Sequence, residues 1–136
     1  MPLPSDRWLA DLIETHVDEL ATRMASHAQQ TSSAHQTLDA AEVHSGFVAF
    51  YRALAAEIST GDPAHMRSHL QRVLPVRVQA GAHVDDLVRM VDALEEPVVD
   101  LLARADSADH EHVAAARPRL EAIREDIRAQ VREIAG

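Results

Sequence analysis

Histidines are the residues of this chain best suited to bind a metal or a haem iron, and there are nine of them in 136 residues. His65 and His69 are four positions apart, so on a helix their side chains lie on one face and could share a metal ion. No carboxylate stands at a supporting spacing from the pair. Two solvated histidines near a helix start explain the same pattern, so both interpretations stay open.

Two more histidines are candidate ligands. His16 falls on the apolar stripe of the first predicted helix. It is either a buried ligand or pH switch, or a residue at the edge of the core bonded to a backbone carbonyl. His83 follows Gly81 at the start of another predicted helix. It is either a ligand to a haem iron or an ordinary residue of the helix cap.

No catalytic motif accompanies these histidines. The paired acids Asp85-Asp86, Glu95-Glu96 and Glu125-Asp126 are neighbours in sequence, and neighbours on a helix point in different directions, so they do not form an acid–base pair. The chain has no cysteine, no glycine-rich phosphate loop, no GxSxG and no HExxH. We predict that it is not an enzyme and that it needs no cofactor.

Composition excludes several other classes. A net charge of −9 argues against nucleic-acid binding, which needs clustered positive charge. The sequence contains no run of eighteen apolar residues, so we predict no membrane-spanning segment. The start lacks the features of a signal peptide, so we expect a cytoplasmic protein. All 13 basic residues are arginine, and both lysine and asparagine are absent, which suggests a GC-rich bacterial genome.

The elements that position these residues are predicted to be helices throughout. Apolar residues recur at spacings of three and four, and no segment alternates as a strand would, so we predict an all-α fold of five to seven helices. The predicted helices cover about 5–27, 38–59, 66–81, 84–102 and 113–134, with a polar loop at 29–36.

Helix ends and breaks are also readable. Ser5 and Thr37 are candidate N-caps. The turn Gly61-Asp62-Pro63 predicts a glycine that ends one helix and an aspartate that caps the next. Three prolines lie inside helical patterns, and each predicts a kink or a division into shorter helices; they are Pro75, Pro97 and Pro118.

The last helix carries an apolar seam that is typical of a helix paired with another helix. We predict one domain over 1–136, in which 108–136 is a dimerisation or connector helix. An ordinary amphipathic helix packed on its own core explains the seam as well. The predicted dimer surface consists of Trp8, Leu12, Leu120, Ile123, Ile127 and Ile134.

The middle of the chain resembles the N-terminal domain of RsbR-type stressosome regulators, also called the RsbT co-antagonist N-terminal domain. The resemblance covers nearly the whole chain and includes an arginine four residues before a glycine, and Trp8 near the start fits it too. The residues that carry it are Phe47, Phe50, Leu54, Gly61-Asp62, Leu70, Leu74, Arg77, Gly81, Asp86-Leu87 and Leu94.

The resemblance implies a globin-like fold without haem, which dimerises through its first and last helices. It also implies that the last helix continues as a connector into a STAS domain, which scaffolds assembly and is phosphorylated by a partner kinase. No STAS sequence follows Gly136, so we expect either a fragment or a stand-alone domain. No serine or threonine occurs in 108–136, which leaves no acceptor for phosphorylation of this segment.

Together these observations predict a homodimeric sensor or scaffold domain that relays a signal through its C-terminal helix. If the chain is part of a longer protein, its expected partners are a STAS-domain scaffold or a kinase. We expect it to bind neither nucleic acid nor a membrane. The alternative is a helical sensor that binds haem or a metal through its histidines.

Overall fold

A computed structural model describes residues 3–136, without the side chains of residues 33 and 34. Within that range the chain forms seven α-helices and one 3-10 turn and contains no β-strand, which confirms the predicted all-α class. The first two residues of the predicted domain lie outside the described part.

The helices follow one another with short connections. They are α1 (Pro4–Thr15), α2 (Val17–Thr31), α3 (Ser33–Gln36), α4 (Ala40–Thr60), α5 (Ala64–Gln79), α6 (Val84–Ala103) and α7 (His110–Ala135), with the 3-10 turn Ser107–Asp109 before α7.

The turn between α4 and α5 is built as the sequence predicts. Gly61 ends α4 in the left-handed conformation, with φ of 74°, where a residue without Cβ is favoured. An Asp62 carboxylate oxygen accepts a hydrogen bond from the Ala64 backbone N–H at 2.9 Å, which satisfies one free donor at the start of α5.

The first predicted helix is in fact two helices. His16 leaves the helical conformation, with φ of −111° and ψ of 19°, and separates α1 from α2. Its Nδ1 donates to the Leu12 carbonyl oxygen at 2.9 Å, so the side chain competes for a carbonyl of the preceding turn. The predicted Ser5 cap is also wrong. The helix begins at Pro4, and the Asp6 carboxylate accepts from the Leu3 backbone N–H at 3.2 Å.

The predicted loop at 29–36 is mostly helical. Helix α2 continues to Thr31, and the short α3 follows it, where the Ser32 hydroxyl accepts from the His35 backbone N–H. The start of α4 is shifted as well. Asp39 rather than Thr37 caps it, because its carboxylate accepts from the Ala41 backbone N–H at 2.8 Å.

The three interior prolines do not divide their helices. Pro75 lies within α5, Pro97 within α6 and Pro118 within α7, and each helix is assigned as continuous on both sides. Division into shorter helices is therefore wrong for all three, and a kink at each proline stays a prediction. The packed core on which these helices lie outweighs the missing hydrogen bond that each proline causes.

Helix α4 lies at the centre of the packing. It contacts α1, α2 and α5, while α7 packs across α6, α5 and α1. The Tyr51 side chain of α4 is fully buried, and its hydroxyl donates to the Leu94 carbonyl oxygen of α6 at 2.8 Å. This bond ties α4 to α6 beside the pocket described below.

None of the helices in residues 3–136 is both long and apolar enough to cross a membrane. The globin-like arrangement implied by the resemblance remains a prediction beyond the all-α class.

Candidate functional site

The structure separates the predicted His65–His69 pair. His65 is exposed at the start of α5 and borders an open groove between α4 and α5. His69, one turn later, is only 3% exposed and faces a different pocket. No group of three or more histidine, aspartate or glutamate side chains in the described part of the chain is placed to hold a metal ion.

His16 and His83 are not part of a common site with this pair. His16 is half-buried at the break between α1 and α2, bonded to a backbone carbonyl, as one of the two interpretations of its position predicted. His83 is exposed just before α6, where its backbone carbonyl accepts from the N–H groups of Asp86 and Leu87. The four candidate histidines therefore lie in four different environments.

The pocket that contains His69 is the candidate functional site. It has a volume of about 60 Å³ and lies between α3, α4, α5 and α6, with one side chain of α7 at its wall. Most of its lining is aliphatic or aromatic. The lining residues are His35, Gly46, Phe47, Phe50, His69, Leu70, Val73, Leu74, Arg77, Leu87, Met90, Val91, Leu94 and Val131.

Arg77 brings a charge into this apolar pocket. Its side chain is only 7% exposed, and among the described residues it has neither a hydrogen bond nor a carboxylate within ion-pair distance. Burial lowers the pKa of the Arg77 guanidinium, and the negative charge of Glu42 raises it. A guanidinium nevertheless stays protonated at neutral pH, so the pocket holds a largely buried positive charge.

Gly46 makes room for this guanidinium. A Cβ at Gly46 would lie 2.7 Å from Nη2 of Arg77, closer than real Cβ atoms come to other heavy atoms. The glycine stands in the middle of α4, where it weakens the helix relative to alanine. Its position is explained by the close approach of the Arg77 side chain from α5.

Two neutral imidazoles share the pocket with Arg77. Burial is the main cause that lowers the pKa of both His35 and His69 to about 4. The Arg77 charge lowers the pKa of His35 further, and the charges of Arg72 and Arg77 lower that of His69 further. His35 is held by a hydrogen bond between its Nδ1 and the Ser32 hydroxyl at 2.8 Å. His69 lies edge-to-face against Phe50, and its buried Nδ1 has no hydrogen-bond partner among the described residues.

The chemistry of this lining favours binding over catalysis. It offers one fixed cation and two neutral imidazoles, each of which carries one N–H donor and one acceptor nitrogen. The lining residues include no carboxylate, hydroxyl or amine that could act as a nucleophile. The pocket is therefore suited to a small ligand with a negative or strongly accepting end and an apolar body.

A second buried charge lies on the other side of α4. Glu57 is 5% exposed, and its Oε1 has no hydrogen-bond partner in the described part of the chain. Burial raises the pKa of its carboxyl, and the Asp126 charge raises it further, whereas Arg119 opposes both. These groups border a separate depression between the end of α4 and α7.

The predicted seam of α7 faces inward. Leu120, Ile123 and Ile127 are each no more than 4% exposed and lie in the core of their own chain. This corrects the expectation that they form a dimer surface, because side chains buried within one protomer have almost no area left for another.

The remaining residues of the predicted surface are partly buried. Trp8, Leu12 and Ile134 pack against the edge of the core. The Trp8 ring stacks on the His112 ring, with centroids 5.5 Å apart, and joins the start of α1 to the start of α7.

The residues shared with the family pattern have structural roles here. Gly61 and Asp62 form the turn described above. Gly81 has a positive φ of 104°, which lets the chain turn after α5, and the Ala82 backbone N–H donates to the Arg77 carbonyl oxygen at 3.0 Å. Arg77 itself is the charged residue of the candidate site.

Sequence reasoning missed His35, Gly46 and Glu57. His35 was placed in a loop, and its burial depends on α3, which the sequence did not predict. Gly46 could have been found from the sequence, because a glycine inside an apolar helical pattern often indicates a close contact or a functional site. Glu57 gave none, since an acid on a helix of mixed pattern is normally solvated.

Comparisons with protein-family models, with curated proteins and with solved structures found no match for this chain.

Proposed function

We propose that this chain is a regulatory sensor and scaffold domain of a bacterial stress-signalling protein, which forms a homodimer and relays a signal through α7. The observation that carries the proposal is the pocket around Arg77, where a buried unpaired cation and Val131 of α7 border one small space. A ligand in that space touches the proposed output helix directly.

The relay follows from differential binding. A ligand shifts a conformational equilibrium only by the difference in its affinity for the two states. Val131 is 1% exposed and lies one turn before the end of α7, so a change in the pocket wall alters the packing of that end. Arg67 of α5 also pairs with Glu133 of α7 at 2.9 Å, which connects the helix carrying Arg77 to the same segment.

Dimerisation must use a face of α7 other than the buried seam. On the exposed face, Ala115, Ala122 and Ala129 are seven residues apart, with Glu125 and Arg132 between and after them. Small residues at heptad spacing allow two helices to approach closely. Charges of both signs beside them can pair with those of a second copy of α7 in either orientation. In a longer protein, a STAS-domain scaffold or a kinase would be the partner downstream of this dimer.

Gly46→Ala tests the relay without a ligand. The added Cβ displaces the guanidinium of Arg77, which is the far end of a flexible side chain, and alanine is favoured over glycine in a helix by about 1 kcal/mol, so the fold is retained. Trp8 is the only tryptophan and lies outside the pocket, stacked on His112 of α7. We expect its emission to change, together with amide exchange over 120–134.

Ser45→Ala is the matched control, because Ser45 is an exposed neighbour on α4 that does not line the pocket. It should leave the Trp8 emission and the exchange of α7 unchanged. If Gly46→Ala leaves both unchanged while circular dichroism shows an intact fold, the pocket is not coupled to α7 and the relay is rejected.

A haem- or metal-binding sensor is the second candidate, and the unpartnered Nδ1 of His69 favours it. The residues do not fit haem, because a pocket of about 60 Å³ is far below the roughly 300–1,000 Å³ typical of larger ligands. A Soret band after haem addition, or a thermal shift with zinc that is lost in His69→Ala but kept in His65→Ala, would restore this candidate.

A further inference from the structure

The Arg77 pocket has the composition of a binding site for a small anion with an apolar body. A buried charge is costly unless it is paired and hydrogen-bonded, and the described residues provide the Arg77 guanidinium with neither kind of partner. Glu42, the acid whose charge acts on Arg77, is exposed on α4 and beyond ion-pair distance. The counter-charge is therefore missing from the pocket itself.

The donors in the pocket match a carboxylate. A guanidinium presents two parallel N–H groups, which bind the two oxygens of a carboxylate in a fork. His69 lines the same pocket, and its Nδ1 is buried without a partner, so a turn of the ring is needed to bring that nitrogen to a ligand oxygen. As a neutral imidazole it donates one hydrogen bond to an oxygen that the fork leaves partly free.

The size of the pocket limits the rest of the ligand. A volume of about 60 Å³ is about four to six times the roughly 10–15 Å³ that one enclosed water molecule requires, which is room for a carboxylate with a short hydrocarbon tail. Phe47, Leu70 and Leu74 are among the apolar side chains that would surround such a tail. The net charge of −9 repels anions in general, so uptake must depend on Arg77 locally.

We propose that the pocket binds a short-chain monocarboxylate, with its carboxylate on the Arg77 guanidinium and the His69 ring and its tail among the apolar side chains of α4 to α6. The inference deepens the proposed function, on which its role as a signal rests, by naming the ligand class of the same pocket. The binding itself does not depend on the relay.

Titration calorimetry and thermal shift on the full chain test the binding, with acetate, propionate and butyrate at constant ionic strength. Propionamide is the neutral control, because it has nearly the shape of propionate without the charge. Sodium chloride is the control for a bare anion without a tail. We expect saturable binding of acetate or propionate, weaker binding of butyrate, and none of propionamide or chloride.

Arg77→Met and Arg72→Met are the matched variants. Both arginines are on α5, but Arg72 is exposed and borders the open groove instead of the pocket. Arg77→Met should weaken binding by about ten- to hundredfold, the loss expected when a charged hydrogen-bonding group is removed. Arg72→Met should change it far less, because it removes only an exposed charge that acts on His69 from outside the pocket. Replacing a buried unpaired charge with an apolar side chain often stabilises a fold, so Arg77→Met should stay folded.

Gly46→Ala gives a second variant that keeps the charge. It pushes the guanidinium out of place and should also weaken carboxylate binding, so the inference stays testable if Arg77→Met fails to fold. Equal binding of propionate and propionamide, an equal response to chloride, or unchanged propionate affinity in the folded Arg77→Met variant would overturn it.

The relay is read separately through Trp8. If propionate binds through Arg77 and the Trp8 emission does not change, the ligand class stands and the proposed function fails. If no carboxylate binds while Gly46→Ala still alters α7, the proposed function stands and the ligand class is wrong.

Discussion

Two residues, Arg77 and Glu57, carry ionisable groups into the interior of this molecule. Arg77 and Glu57 are both largely withdrawn from water in a chain whose other charges are mostly solvated. The buried Oε1 of Glu57 has no hydrogen-bond partner among the described residues, and neither does the Arg77 side chain. The sequence showed Arg77 only as part of a family pattern. Its burial depends on Gly46, which is 31 positions away in sequence, so no local pattern reveals the pair.

The buried imidazoles predict a loss of stability in mild acid. His35 and His69 have folded-state pKa values of about 4, below the ordinary value of 6.5, so the unfolded chain binds more protons between these limits. Their contribution is complete above about pH 6.5 and is lost as the pH falls towards 4. It amounts to at most roughly 3–4 kcal/mol per imidazole, since one pKa unit corresponds to about 1.4 kcal/mol.

Urea unfolding at a series of pH values measures this slope. His69→Leu should make the profile shallower between pH 6.5 and 4, because it removes one of the two depressed pKa values. His65→Leu on the same helix removes an exposed imidazole and should preserve the profile. Identical slopes in wild type and His69→Leu would contradict the assignment.

Glu57 predicts the opposite pH dependence. Its folded-state pKa is raised, so the carboxyl destabilises the fold as the pH rises above the ordinary value and is without penalty in acid. Glu57→Met removes both the charge and the unpartnered Oε1, and should stabilise the protein at pH 7 by about 1–3 kcal/mol.

The gain from Glu57→Met should shrink as the pH falls towards 4.5, because the wild-type carboxyl, with its raised pKa, takes up a proton before that pH is reached. Glu121→Met is the control, because Glu121 is exposed on α7. Chemical denaturation of the three proteins at pH 7 and at pH 4.5 checks the prediction, which fails if Glu57→Met is destabilising at pH 7.

At the level of elements, helix existence was predictable and helix boundaries were less so. Apolar spacing located α4 to α7, and the Gly61-Asp62 turn was predicted in its details. The break at His16 was missed because it arises from a side chain bonded to its own preceding turn, on a stripe that continues unbroken in sequence. Helix α3 was missed because its four residues are too few to show a helical period.

Gly61→Ala tests the turn between α4 and α5. With φ of 74°, an alanine there is strained by about 1–2 kcal/mol, and no atom lies within 4 Å of the added Cβ, so strain is the whole expected cost. Gly46→Ala is the natural comparison, since Gly46 is helical and its added Cβ meets only a movable guanidinium. Urea midpoints should fall for Gly61→Ala and not for Gly46→Ala.

At the level of the whole molecule, the orientation of α7 was the main error of the sequence analysis. An apolar seam predicts that something packs against it and does not say whether that is another chain or the same one. Here α5, α6 and α1 of the same chain cover it. The candidate pocket could not be predicted from the sequence, because its lining comes from five helices whose packing the apolar spacing does not specify.

The dimer proposal now makes a prediction about the opposite face of α7. Ala122→Glu places a charge among Ala115, Ala122 and Ala129 and should convert a dimer into a monomer, because a charge between closely packed helices is desolvated. Ala41→Glu, on an exposed position at the start of α4, should leave the dimer intact. Light scattering of the three proteins gives the mass, and a wild-type monomer at micromolar concentration rejects dimerisation.

The contact between Gly46 and Arg77 also bears on how α4 is aligned along α5. Gly46 is the only glycine of α4, and one helical turn away on either side stand Glu42 and Phe50. A slip of α4 by one turn would place the side chain of Glu42 or Phe50 where Gly46 now leaves room for the guanidinium. Gly46 therefore favours the present alignment of the two helices, because a larger side chain at this contact would displace the guanidinium.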